Sequence, residues 1–275
     1  MTDQDFDFIR KLLQSRSAIA LDADKQYLVE ARLTPVVRSL NLGSITELVS
    51  QLRVQPSNGV VTQIVEAMVT TETSFFRDVH PFETLRKTVL PRLMGLRRDQ
   101  RRLNIWCAAC STGQEPYSVA LLIREHFPEL RGWNVALLAT DLSRETLARA
   151  RQGRFSQIEV NRGLPAALLI RHFTQHGTSW EISADLRGMV DFQELNLAQP
   201  WPALAAMDLV LLRNVMIYFD VEMKKAILAR LARVLQPDGY LILGGAESTF
   251  NLDDSYRRVE DLKGGYYQRI PTALP

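Results

Sequence analysis

The stretch LNIWCAACSTGQEPYS, residues 103–118, decides the fold of this chain. An apolar run ends in small residues and a single glycine, Gly113, and an amphipathic pattern follows. This order predicts a strand, a tight turn and the N-terminus of a helix, where free backbone N–H groups can approach a nucleotide-like ligand. Taken alone, this stretch is explained equally well by a strand-to-helix turn that binds no ligand. The next apolar run is needed to choose between these two interpretations.

That next run is a second strand that ends in a carboxylate. Residues 134–141, NVALLATD, end in Asp141, and an acid at this position holds ribose hydroxyls in doubly wound sheets. A cap on the helix that follows at Ser143 is the alternative. The chain has neither Gly-x-Gly-x-x-Gly nor G-x-x-x-x-G-K-[ST], which argues against a dinucleotide and against a P-loop. S-adenosylmethionine, which has a ribose and no phosphate, fits better.

The composition predicts a cytoplasmic protein without membrane insertion. A chain of 275 residues with 46% apolar side chains can form one large core or two small ones. A net charge of +2 does not favour nucleic acid as a partner, and no apolar run approaches the about 20 residues of a membrane span. The single C-x-x-C of Cys107 and Cys110 is weak support for zinc. We expect packing residues there, with a redox pair as the alternative, and no metal.

Hydrophobic periodicity divides the chain into two domains and predicts an α/β fold. Residues 1–79 show helical spacing without a strand pattern, which indicates an N-terminal all-helical domain. Over residues 80–275, strands alternate with helices, which predicts a doubly wound, mostly parallel sheet. Residues 154–190 interrupt this alternation with a hairpin signal, so we expect a small inserted β-subdomain. The basic run at residues 97–102 is interpreted as a solvated helix end.

Four segments of the chain resemble the CheR family, the chemotaxis receptor glutamate methyltransferases. The block WCAACSTGQEPYS (residues 106–118) is similar to that family's S-adenosylmethionine loop. TETSFFRD (71–78), LRNVMIYFD (212–220) and LQPDGYLILGGAES (235–248) match in the expected order. The resemblance covers nearly the whole chain. It implies a class I S-adenosylmethionine-dependent methyltransferase domain with the family's small β-subdomain.

The resemblance also implies which residues bind the cofactor. Glu115 is expected near the charged methionine end, with capping of its own helix as the alternative. Arg77 can fork onto the methionine carboxylate, although on sequence alone a structural ion pair explains it equally well. Thr71 stands where the family commonly has asparagine. The expected cofactor-binding residues are Thr71, Thr73, Arg77, Ala109, Gly113, Glu115, Asp141, Asn196, Leu197, Arg213 and Asn214.

The reaction implied by the resemblance needs little chemical machinery. Tyr218 matches the family's active-site aromatic and is expected to be catalytic together with Arg77; a tyrosine packed under the following helix is the alternative. A glutamate side chain, with a reference pKa of about 4.3, is already ionised and needs no general base. We expect methyl transfer to glutamates of cytoplasmic chemoreceptor helices, with S-adenosylhomocysteine as product. The alternatives are methylation of RNA or a small molecule, or a non-catalytic cofactor-binding module.

The same family suggests how the substrate docks. Lys25 and Arg32 fall on one face of a helix, and the family uses basic residues of this helix against acidic receptor helices; a solvated face is the alternative. Some members of the family also bind a pentapeptide at the C-terminus of the receptor, by strand addition at an edge of the β-subdomain. The connection at residues 175–179 is short for that role, so we expect an enzyme that does not depend on this tether. We also expect the enzyme to be a monomer.

Overall fold

The predicted first strand lies inside a seven-stranded sheet. The structure is a computed structural model, and it describes residues 1–270. The strands of this part are β1 (Arg102–Ala108), β2 (Asn134–Asp141), β3 (Arg154–Ser156), β4 (Phe173–His176), β5 (Ser179–Ile182), β6 (Val190–Glu194), β7 (Met207–Leu212), β8 (Leu235–Leu243), β9 (Tyr256–Arg258) and β10 (Gly265–Arg269). The large sheet has the order β6-β2-β1-β7-β8-β10-β9.

The strand order shows the doubly wound topology that the sequence predicts. β10 runs antiparallel to both of its neighbours, and the other pairings of this sheet are parallel. From β1 the chain first builds outward through β2 and β6, and then returns to β7 on the other side of β1. Such a switch point opens a crevice at the carboxyl ends of the two central strands, where ligands of α/β proteins bind.

Helices precede the sheet and connect its strands. They are α1 (Asp3–Ser17), α2 (Gln26–Ser39), α3 (Ile45–Val54), α4 (Asn58–Met68), α5 (His80–Thr84), α6 (Leu90–Arg97), α7 (Gln114–His126), α8 (Arg144–Gln152), α9 (Gln157–Asn161), α10 (Ala166–His172), α11 (Ala184–Arg187) and α12 (Val221–Val234). A π-helical segment, Leu85–Val89, joins α5 to α6, and 3-10 turns occupy Pro128–Gly132 and Met216–Tyr218. Among the described residues, no helix is both long and apolar enough to cross a bilayer.

The chain forms two compact units. The first comprises Met1–Thr70, Asn196–Pro200 and Tyr218–Met223, and the second comprises Thr71–Leu195, Trp201–Ile217 and the described chain from Lys224. The packing therefore changes after Thr70, whereas the sequence analysis placed the domain boundary after Val79.

The reason for this difference is the aromatic pair of the TETSFFRD segment. Phe75 is fully buried in the core of the second unit, and its ring lies 4.9 Å from that of Phe155 and 5.8 Å from that of Phe173. Helical spacing before residue 71 and aromatic anchors after it are both local patterns. Only the burial of the anchors shows to which core they belong.

The helical unit is built from the apolar faces of α1 to α4. Ile9, Leu33, Val49 and Ile64 are completely buried, one from each helix. Thr2 begins α1 with a capping box, because its side chain accepts from Asp5 N while the Asp5 carboxylate accepts from Thr2 N. The segment Tyr218–Met223, which comes later in the chain, joins this unit through main-chain pairing. In particular, Ile19 forms a β-bridge with Phe219.

The basic run before β1 is not wholly solvated. Arg97, expected in an exposed helix end, is 7% exposed. Its guanidinium donates to Asp208 at 2.6 Å and forms a second pair with Asp238. Asp208 also accepts from the backbone N–H of Asn104. The prediction of a solvated run was wrong for Arg97, because two carboxylates from β7 and β8 meet at this end of the sheet.

The interrupted region forms a separate three-stranded antiparallel sheet with the order β3-β5-β4. Gly177 and Thr178 connect β4 to β5, and Gly177 has a φ of 60°, which suits the tight hairpin expected there. β4, four residues long, lies at one edge of this small sheet. The fold class predicted from the sequence is thus confirmed, including its inserted β-subdomain.

Candidate active site

The loop between β1 and α7 is fastened to the end of β2. Cys110 N donates to the carbonyl of Thr140 at 2.8 Å, and Ser111 N donates to the carboxylate of Asp141 at 2.8 Å. Gly113 has a φ of 95°, and a Cβ there would lie 3.0 Å from the Cβ of Ala150 in α8. Glycine is therefore required for this close approach, and the loop and Asp141 lie side by side.

Asp141 is almost saturated with hydrogen bonds. It is 6% exposed. Besides Ser111, the amide of Ser143 donates to it at 2.9 Å and the hydroxyl of Thr146 at 3.3 Å. Burial raises the pKa of this carboxyl, and the backbone hydrogen bonds oppose the rise. The capping alternative is thus present in the structure. Leu142 adds a further backbone hydrogen bond, so contacts within the protein occupy most of the carboxylate's roughly four acceptor positions.

Two expected cofactor residues contact each other. Glu115 comes from the first turn of α7 and Arg213 follows β7, and their side chains form an ion pair with an N–O distance of 2.8 Å. The Arg213 side chain is 1% exposed and the Glu115 side chain 12%. Burial raises the pKa of Glu115, whereas the guanidinium opposes this rise. A buried pair of this kind carries fixed charge at the carboxyl ends of β1 and β7.

The guanidinium of Arg213 also binds the segment TETSFFRD. It donates to the carboxylate of Asp78 at 2.8 Å and to the carbonyl of Arg77 at 3.0 Å, and it lies 5.6 Å from the ring centre of Phe82. Its Nε is buried and has no hydrogen-bond partner within residues 1–270. A buried, unpaired donor is a natural contact for an anionic or polar ligand group.

The backbone of this segment is strained. Phe76, Asp78 and Val79 have positive φ angles of 48°, 68° and 50°. Such angles are unfavourable for residues other than glycine, above all for β-branched Val79. The amide of Phe76 is held by the hydroxyl of Ser118 in α7 at 2.9 Å. Strain held in place by surrounding contacts is typical of functional segments.

Arg77 makes a structural contact within the TETSFFRD segment. Its Nη1 donates to the carbonyl of Glu72 at 3.1 Å, which is a structural contact. Its positive charge is one of the smaller influences that oppose the rise in the pKa of Glu115 caused by burial. Nearby, Thr71 accepts from the hydroxyl of Ser111 at 2.7 Å through its carbonyl, and Thr73 is half-buried. The cofactor contacts of Arg77, Thr71 and Thr73 stay predictions.

Three further expected residues belong to the helical unit. Asn196 donates through Nδ2 to the carbonyl of Arg16, and its side-chain oxygen accepts from Ala198 N at 2.9 Å, so this side chain caps a turn. Leu197 is buried. The carbonyl of Tyr218 accepts from the amide of Ala20. The roles of Asn196, Leu197 and Tyr218 at the site stay predictions.

The expected docking residues differ from each other in setting. Lys25 lies just before the first residue of α2 and pairs with Asp24 at 3.2 Å. Arg32 lies within α2, and its guanidinium donates to the carbonyl of Met68 at 2.6 Å and to the hydroxyl of Thr70 at 3.1 Å. Arg32 therefore also stabilises its own unit, whereas the side chain of Lys25 pairs with the carboxylate of its neighbour Asp24.

The cysteines and histidines do not form a metal site in the described chain. Cys107 and Cys110 are both buried and unpaired, and burial raises the pKa of both thiols well above the usual value. Within residues 1–270, no cluster of three or more His, Cys, Asp or Glu side chains has the arrangement of a metal site. The neutral, buried thiols are in keeping with a packing role.

Sequence reasoning missed Glu247. Its carboxylate accepts from the backbone amides of Asn214, Val215, Met216 and Gly244. The residue lies in the quoted motif LQPDGYLILGGAES, where two glycines after a strand are followed by a carboxylate. That pattern was the available signal, since glycines permit close approach to a neighbouring loop.

Comparison with known proteins assigns both parts of the chain. A family model described as CheR methyltransferase, SAM binding domain, matches residues 71–263, and one described as CheR methyltransferase, all-alpha domain, matches residues 4–69. The chain is 39% identical over 269 residues to chemotaxis protein methyltransferase 1 of Pseudomonas aeruginosa, covering 96% of this chain and 97% of that protein.

Two further relatives are also named chemotaxis protein methyltransferase and also match over nearly their full length. Chemotaxis protein methyltransferase Cher2 of Pseudomonas putida is 38% identical over 269 residues, with 96% of this chain and 97% of that protein covered. A chemotaxis protein methyltransferase of Vibrio parahaemolyticus is 34% identical over 271 residues, with 98% of each covered.

Proposed function

We propose, since this chain belongs to the CheR methyltransferase family, that it methylates glutamate side chains on the cytoplasmic helices of chemoreceptors. The chain is a methyltransferase of chemotaxis that uses S-adenosylmethionine. The buried pair of Glu115 and Arg213 is the observation that best supports the finer assignment. It supplies fixed charges of both signs at the switch point of the sheet, which suits a zwitterionic cofactor beside a substrate carboxylate that is already ionised.

The residues at the carboxyl ends of β1, β2 and β7 fit S-adenosylmethionine. Asp141 ends β2, where its carboxylate would accept a hydrogen bond from a ribose hydroxyl. Glu115 offers a carboxylate to an ammonium group, and Arg213 has a buried Nε without a partner in the described chain. Arg77 would bind the methionine carboxylate. Charges of both signs in this crevice match a zwitterionic amino-acid end.

The chain's own residues have to position the substrate and exclude water. When bound, the cofactor supplies a methyl group on a sulfonium, which is already a good leaving group. Arg213 fixes the rotamer of Glu115 through their ion pair and is itself held by Asp78. Tyr218 would orient the glutamate carboxylate. Orientation of two reactants can supply about 7–11 kcal/mol in favourable cases, and a partly dry site strengthens each charge contact.

The stability in base of the bond to the transferred methyl group tests this proposal. The full chain is incubated with S-adenosylmethionine labelled in the methyl group and with membranes that contain a chemoreceptor. A carboxyl methyl ester releases labelled methanol in mild base, whereas N-methyl groups survive. We expect base-labile label on the receptor. Base-stable label, or label in RNA, would refute the assignment.

A second arm separates glutamates from other carboxylates. Receptor whose candidate methylation glutamates are replaced by alanine should accept no label, whereas the same receptor with aspartates replaced elsewhere on its cytoplasmic helices should accept label normally. Equal labelling of both receptors would show that the enzyme acts on another group.

A further inference from the structure

The carboxylate of Glu247 joins the loops that follow two neighbouring parallel strands. Its Oε2 accepts from the backbone N–H of Asn214 at 2.8 Å and of Gly244 at 2.7 Å. Its Oε1 accepts from Val215 at 2.9 Å and Met216 at 2.8 Å. Gly244 follows β8 directly, whereas the other three donors follow β7. One side chain therefore fastens both loops at the carboxyl end of the sheet.

An ionised carboxylate is the group that this arrangement requires. It is an acceptor only, with about four lone-pair positions, and two N–H groups on each oxygen use them. Glu247 is 9% exposed, so little water can replace it. A glutamine has the same shape, but its NH₂ group would face two backbone donors and would release part of the clamp.

Two details of the backbone depend on this clamp. A Cβ at Gly244 would lie 2.6 Å from Oε2 of Glu247 and 2.9 Å from both the amide and the side-chain nitrogen of Asn214. Glycine is therefore required where the loops meet. Asn214 has a φ of 58°, in the left-handed region. Its hydrogen bond to Glu247 holds it in a conformation that non-glycine residues rarely adopt.

We infer that Glu247 is a positioning residue for cofactor binding. By fixing the backbone of Asn214, it orients Asn214 and the preceding Arg213 at the carboxyl end of β7. Arg213 carries this constraint to Glu115, 2.8 Å away. This inference rests on the proposed cofactor role of Arg213 and Asn214, and it assigns to Glu247 an action through them.

A purely stabilising role is the competing explanation, and the chain offers a matched control for it. Asp208 lies in the same strand, β7, but near its amino end. It too is a buried carboxylate, 3% exposed, that accepts from a backbone N–H, that of Asn104, and it also pairs with Arg97. Its replacement should weaken the fold without disturbing the loop after β7.

The experiment compares E247Q and D208N in the full chain. Calorimetry measures the Kd for S-adenosylmethionine well below the melting temperature of each variant, and thermal unfolding measures stability without the cofactor. We expect both variants to melt lower than the wild type. The Kd of E247Q should rise about tenfold or more, whereas that of D208N should stay within about twofold of the wild type.

A second variant keeps the inference testable if E247Q does not fold. G244A leaves every charge in place but pushes a Cβ against Oε2 of Glu247 and the amide of Asn214, and it should raise the Kd in the same way. A wild-type Kd in folded E247Q or G244A would overturn the inference, as would an equal rise in D208N. The outcome is independent of which substrate is methylated, because the readout is cofactor affinity.

Discussion

The side chains of Arg213 and Glu115 form a buried ion pair with an N–O distance of 2.8 Å, although 98 positions separate them in the chain. Each residue lies at the carboxyl end of a central strand, one after β7 and the other at the start of the helix that follows β1. The doubly wound topology brings these two ends together. The pair links the two motifs that the sequence showed only as separate segments.

Breaking this pair should cost both stability and cofactor affinity. Arg213→Met leaves Glu115 as a buried, unpaired carboxylate, which should lower the free energy of unfolding by about 3–5 kcal/mol. Glu115→Leu combined with Arg213→Met should recover most of this loss, because the uncompensated charge is gone, yet should not recover S-adenosylmethionine binding. Urea unfolding and calorimetry measure the two quantities. A double variant that binds the cofactor normally would contradict the assignment.

Cofactor affinity should depend on pH through Glu115. Burial raises the pKa of this carboxyl above its usual value, with Arg213 opposing the rise. Protonation therefore begins at a higher pH than for a surface glutamate, and a neutral carboxyl cannot bind an ammonium group well. Affinity should be full above the raised pKa and should fall as the pH drops through it, as followed by calorimetry.

The control for this pH profile is Glu115→Gln. That variant should keep only the pH dependence contributed by Asp141, whose pKa is also raised by burial. Profiles of identical shape for wild type and Glu115→Gln would show that Glu115 does not bind the ammonium group.

Asp141 should contribute to cofactor binding beyond its structural hydrogen bonds. Asp141→Ala removes a charged acceptor and should weaken S-adenosylmethionine binding by about 1.5–3 kcal/mol. Thr146→Val is the matched control, because it removes the 3.3 Å hydrogen bond to the same carboxylate but leaves the charge. Its Kd should remain near that of the wild type. Equal weakening in both variants would indicate that Asp141 acts only by holding the loop.

Substitutions at Lys25 and Arg32 should distinguish an effect on receptor docking from an effect on the stability of the fold. Lys25→Glu should raise the KM for receptor several-fold at low salt and leave the melting temperature nearly unchanged, because exposed charges mainly steer encounter. Arg32→Glu should raise KM and also lower the melting temperature, since its guanidinium holds Met68 and Thr70. Arg38→Glu, at an exposed position of α2, is the control. Unchanged KM in both test variants would exclude this helix from docking.

The receptor's C-terminal pentapeptide should not be needed. The edge strand β4 has four residues, Phe173–His176, and a tight turn at Gly177 follows, which leaves little length for strand addition. Titration of a synthetic pentapeptide into the protein should give no heat at tens of micromolar. Receptor without this pentapeptide should be methylated as fast as the intact receptor. Saturable micromolar binding would show that the short connection does not close the edge.

The sequence by itself determined the class of fold and the family. Helical spacing, strand alternation and turn residues are properties of neighbouring positions, so they predicted the all-helical first part of the chain, the mostly parallel sheet and the inserted hairpin. The four motifs allowed the cofactor to be predicted, because each motif is contained within one short segment of the chain. Even the missed Glu247 stood inside a quoted motif, but its partners lie in another loop.

Only the tertiary structure decided which charged groups meet. Arg97 lies in a basic run that looks solvated, yet it is buried because Asp208 and Asp238 end up beside it. Glu115 could equally have capped its helix, and Arg213 gave it a buried partner instead. Burial and long-range pairing depend on which strand ends adjoin. That follows from the winding of the sheet and not from the spacing of residues within any one segment.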